Sequence, residues 1–147
     1  MSDPVDFALW QRVHGHLAVL GLAVLLHPVI TLARRRLLTR GLWWSVIAAV
    51  GLLCSSFALG WWLYPTYRAK VKPGLYADHP EVMLRFESKE HLAWFTVSLV
   101  VAGALMLGSG REGAREPARH LLAAAWLTGV ITAALGVHVA ASAGPGW

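Results

Sequence analysis

Four stretches of the chain, Val13 to Ala33, Gly41 to Tyr67, Leu92 to Gly110 and His120 to Trp147, contain no Asp, Glu, Lys or Arg, and the charges are gathered between them. A hydrocarbon core needs roughly 20 apolar residues in a helix, so each stretch predicts one membrane crossing. The first helix is expected from a cap at Asp3 and Pro4 to about Ala33. The second runs from about Leu42 to Leu63, with Trp43-Trp44 at one end and Trp61-Trp62 at the other, as aromatic residues collect at both membrane interfaces. The third covers about Leu92 to Leu107 and the fourth about Pro117 to Ala141. The pattern reads as a single domain over residues 1–147: an all-α membrane protein, an up-down bundle of four transmembrane helices. Two connections are short, and one long extracytoplasmic loop, Tyr64 to His91, joins helices two and three. No internal repeat is long enough to interpret.

Composition strengthens this picture. Only 14% of residues are charged and 56% are hydrophobic, against about 25% charged in soluble domains. The net charge of +5 is better explained by topology and anionic lipid than by nucleic acid. The segment "MSDPVDFALWQRV" carries acids where a secretory signal has a basic start, so the first helix is expected to be retained. A single cysteine, Cys54, excludes an intramolecular disulfide and a dithiol redox centre. "RRRLLTR" packs four arginines against two helix ends. That density places this turn in the cytoplasm and both termini outside it.

The candidate chemistry lies in seven histidines. His16, Leu20, Ala23 and His27 follow a single helical stripe, with the two imidazoles about 16 Å apart in rise. His120 and His138 are five full turns apart on the fourth helix, about 27 Å. Each of these two helices thus carries one histidine toward each membrane face. His91 begins the third helix, His79 lies in the long loop, and His14 points away from the His27 direction. Imidazole in lipid must be hydrogen-bonded, solvated or bound to something, because an unpaired polar group there costs several kcal/mol. An intramembrane ionisable group is by default a functional candidate.

Facing histidines in a helical bundle can clamp a porphyrin through Nε2 of each ring. In helix count, chain size and histidine depth the sequence resembles the small four-helix di-haem b-type cytochromes of bacterial membranes. The resemblance implies one or two haem b groups held by His16 with His91 or His138 on one side, and by His27 with His120 on the other. It also implies electron transfer in a bacterial inner membrane, between the two faces or between quinone and a redox partner protein. Propionates would want cations at each interface: Arg34 to Arg36 and Arg119 inside, and Arg68, Lys70 or Lys72 outside. The protein would be an oxidoreductase component without a catalytic nucleophile, since no Ser-His-Asp set, P-loop or dinucleotide fingerprint is present. Two alternatives stay open. His16, His91 and His138, with Glu87 and Glu90 nearby, would equally suit a metal ion. A non-catalytic membrane subunit scaffolding a larger complex would use its histidines only for packing. Ser88 reads as a cap for the third helix, and His27 could bond a carbonyl freed by Pro28.

Overall fold

A computed structural model describes residues 4–34 and 39–142, with side chains from residue 7 onward. Asp3, Arg35 and Arg36, to which the sequence assigned a cap and two cationic contacts, lie outside the described residues. The described residues form helices and the turns between them: α1 (Pro4–Ala33), α2 (Arg40–Lys70), α3 (Lys72–Asp78), α4 (Pro80–Gly108) and α5 (Arg115–Ser142). Four of these, all but α3, are long and apolar enough to cross a bilayer. Thr39 caps α2, its hydroxyl accepting the Leu42 N–H at 3.2 Å.

The stretch expected to be a long loop is almost entirely helical. α2 continues past Leu63 to Lys70, α3 follows at once, and α4 starts twelve residues before Leu92, at Pro80. Proline is favoured in a first turn, where its missing N–H leaves nothing unpaired. Ser88 is therefore mid-helix, its hydroxyl bonded to the Leu84 carbonyl. The long helices have 28 to 31 residues, about 42–46 Å at 1.5 Å per residue. A hydrocarbon core takes up only about 30 Å, so the helices overshoot it. Charges forbid lipid burial but not helix, so charge-free windows mark the lipid-crossing part alone.

α1 packs on α2 and α4 on α5, forming two antiparallel hairpins. They meet along α1–α5 and α2–α4, while among the described residues no Cα of α1 comes within 8 Å of one of α4, nor one of α2 within 8 Å of α5. The order around the bundle is therefore α1, α2, α4, α5. A short repeat underlies this arrangement, although the sequence alone did not reveal it. In α2, "AVGLLCSSFALG" (Ala49 to Gly60) matches "ARHLLAAAWLTG" (Ala118 to Gly129) in α5. Ala, Leu-Leu, a small residue, an aromatic and Gly recur at equal spacing. The packing repeats with it. A Cβ on Gly21 would lie 2.9 Å from Leu53, and one on Gly103 would lie 2.8 Å from Leu122. Seven residues earlier on the same helices, His14 lies against Gly60 and Thr96 against Gly129. Such glycines let transmembrane helices approach closely, which is where lipid-embedded packing gains its van der Waals energy.

The apolar interior is in two pieces. The larger includes Leu22, Leu25, Val46, Leu53, Val100, Leu107 and Leu122. The smaller, at the α3 end, joins Tyr67, Val71, Leu75, Val82, Met83, Phe86 and Val139, with Phe7 and Tyr64 against it. This second core lies at the end of the bundle where the charged stretch of the sequence folds as helix, and with α3 it forms a cap.

Candidate functional site

The five histidines expected to be ligands are all exposed on the outside of the bundle. Four of them share one feature. His16 Nδ1 lies 2.7 Å from the Arg12 carbonyl, His91 Nδ1 2.8 Å from that of Glu87, and His120 Nδ1 3.0 Å from that of Glu116. A carbonyl only accepts, so each Nδ1 carries the proton. His27 Nδ1 lies 2.9 Å from the Ser45 hydroxyl on α2, and that hydroxyl donates to the Gly41 carbonyl. Ser45 therefore accepts from His27. The partner of His27 is this neighbouring helix, not a carbonyl freed by Pro28.

With the proton on Nδ1, Nε2 is a bare lone pair. Among the described residues, nothing bonds Nε2 of His16, His27 or His91. His120 Nε2 lies 3.3 Å from an Arg119 guanidinium nitrogen, and His138 Nε2 is met by Arg85. His79 lies beside Glu81 at the start of α4.

The expected pairs are not assembled by these contacts. His16 and His91 stand on α1 and α4, at diagonally opposite corners of the bundle. His138 is engaged by Arg85, and His27 leans on α2 while His120 stays with its own turn of α5. Among the described residues, no three His, Cys, Asp or Glu side chains come together as a metal ion would require. Lys72, one of the cations expected to face a propionate, is paired with Glu87 at 3.4 Å.

Sequence reasoning passed over a half-buried polar group. Between the two apolar cores the long helices place Gln11 and His14 (α1), Ser56 and Gly60 (α2), Lys89 and Glu90 (α4), and Thr132 and Gly136 (α5). His14 Nδ1 donates to the Ser56 carbonyl at 2.8 Å, and the Ser56 hydroxyl returns a bond to the His14 carbonyl at 3.0 Å. The Lys89 stem passes over Gly136, where a Cβ would lie 3.5 Å away, and its Nζ sits 4.9 Å from the Phe86 ring centre. Phe86 in turn stacks on Tyr67 at 4.3 Å. Tyr67 is 8% exposed, and among the described residues its hydroxyl and Gln11 Oε1 have no partner. Such a layer suits internal water, which needs two to four polar partners. The signal for it was "SKEHLAW", had α4 been extended upstream.

Above this layer α3 is tied down by charge. Tyr76 donates to Glu87 at 2.9 Å, and Lys72 pairs with the same carboxylate. The bond to Glu87 holds the Tyr76 phenol above its ordinary value. Partial desolvation works against the Lys72 ammonium, but Tyr64 and Glu87 outweigh it and raise its value. An aromatic girdle lies below: Trp10 meets Trp62 edge-on at 6.1 Å, and Trp94 meets Phe57 and Trp61 at 4.6 and 5.7 Å. At the opposite end a cavity of about 590 Å³ is bounded by Leu32, Arg111, Arg115 and Arg119 together with Glu112 and Glu116. Comparison with known protein families, with curated proteins and with solved structures finds no match.

Proposed function

We propose that the protein is a membrane electron-transfer subunit that binds haem b through its outward imidazoles. The observation that supports this is the fixed tautomer along α1: His16 and His27 share a stripe and spend Nδ1 on the protein. A haem-ligating histidine is held in the same way, its far nitrogen bonded so that Nε2 is oriented and basic. A lone pair facing hydrocarbon also needs something to satisfy it, and ferric or ferrous iron does so. When bound, haem supplies a one-electron carrier; the chain supplies the imidazoles, their orientation and a water-poor surrounding. Electrons would pass to quinone or to a redox partner protein. The setting we propose is a bacterial inner membrane, with the arginine-rich turn on the cytoplasmic side and both termini outside.

The exposure of these histidines also favours a second reading, a scaffold subunit whose outward faces are covered by other polypeptides. One measurement separates the two. Protein made in cells supplied with haem precursor is purified in detergent, and oxidised and dithionite-reduced visible spectra are recorded. The electron-transfer reading expects a sharp band on reduction. A colourless preparation ends it and leaves the scaffold.

A further inference from the structure

Resting on that reading, we propose that the second axial imidazole comes from a second copy of this chain, so that the haem sites exist only in a dimer joined along α1. Within one copy the free lone pairs do not pair up. Of the five exposed candidates, His120 and His138 meet arginine side chains at Nε2. That leaves His16 and His27 on α1 and His91 on α4, exposed on helices at diagonally opposite corners of the bundle. His16 and His27 lie on one stripe of one helix, about 16 Å apart, too far to share a ligand. Each therefore lacks a partner in its own molecule.

A second copy offers what is missing. Two imidazoles with bare Nε2 atoms cannot hydrogen-bond to each other, since both only accept. A metal cation between them satisfies both lone pairs at once. In a two-fold dimer the same patch serves both subunits, so His16 would face His16 and His27 would face His27 at two depths. Both residues are exposed, and so are Leu20 and Ala23 between them. The two pairs follow from the straight stripe alone. One docking event would complete both.

The test uses full-length protein in detergent, with haem b as the probe, by native mass spectrometry and low-temperature electron paramagnetic resonance. The expected species is a dimer carrying two low-spin bis-imidazole haems. His27→Ala should halve the haem content and leave the other low-spin signal intact; His16→Ala should do the converse. Because an alanine variant could fail for reasons of folding, wild-type and His27→Ala chains carrying different tags are also co-expressed. The mixed dimer should hold one haem rather than two. Bis-imidazole haem on a monomer would overturn the dimer and keep the haem reading. A haem-loaded dimer indifferent to His16 and His27 would overturn the placement. Absence of haem from every species would remove both proposals.

Discussion

The two hairpins are built on one plan and carry different chemistry. Gly21 under Leu53 corresponds to Gly103 under Leu122, and Leu25 of the first core piece corresponds to Leu107. On the same register His14 answers to Thr96, His16 to Ser98, His27 to Ser109 and Ser56 to Ala125. The second hairpin thus reaches the same packing with none of the imidazoles of α1. Helix contact does not require them, and this separates what the fold needs from what the histidines add.

The sharpest way to break the equivalence is steric. A Cβ at Gly129 would come within 2.4 Å of Leu22 and 3.2 Å of Thr96. Gly129→Leu is expected to prevent assembly of the bundle, seen as aggregation on size exclusion in detergent. Gly129→Ala should cost about 1–3 kcal/mol through overpacking. Next comes the polar pair. His14→Ala removes the Nδ1–H bond to the Ser56 carbonyl and opens space beside Gly60, and should lower stability by about 1–2 kcal/mol. Thr96→Val, at the equivalent place, loses one hydroxyl bond to Thr128 and should cost about 0.6 kcal/mol, the usual value for a bond between membrane helices. Equal losses would dissolve the distinction between the hairpins. A third test makes the first hairpin more like the second: Ser56→Ala should cost less than His14→Ala, since the Ser56 carbonyl still accepts from His14. The smallest effect concerns α3. Lys72 and Tyr76 both titrate higher in the folded protein, so their contribution is complete below about pH 10 and fades as pH rises through the folded values. Proteolysis near α3 should quicken above that pH and become insensitive to it in Glu87→Gln.

The four crossings were legible because the hydrocarbon excludes charge, and twenty uncharged residues in a row leave little else to form. Their outer ends were not, because Arg68, Arg85 or Glu87 are as acceptable in a solvated helix as in a loop. The stripe joining His16 to His27 was also legible, since it belongs to one helix. What lay across from it was not. Helical phase placed His14 apart from His27, but only the neighbour α2 made His14 the half-buried member, and only the order α1, α2, α4, α5 kept His91 from meeting His16. Facing pairs are a property of adjacency, which one sequence does not encode in any periodicity. The hairpin repeat escaped for a related reason: its matches are mostly Ala, Leu and Gly, common in any membrane helix, and they acquire meaning only through shared contacts.

The divided interior has a consequence for how the molecule comes apart. An uninterrupted apolar core tends to melt as one cooperative body, whereas separate clusters open with separate free energies. The cap holds its own core and is tied through α3 by charge, while the spanning part is zipped by Leu–Gly contacts. The polar layer around His14 and Lys89 then acts as a seam between two melting units. The cap can loosen and let water reach that layer while the membrane-crossing helices stay closed.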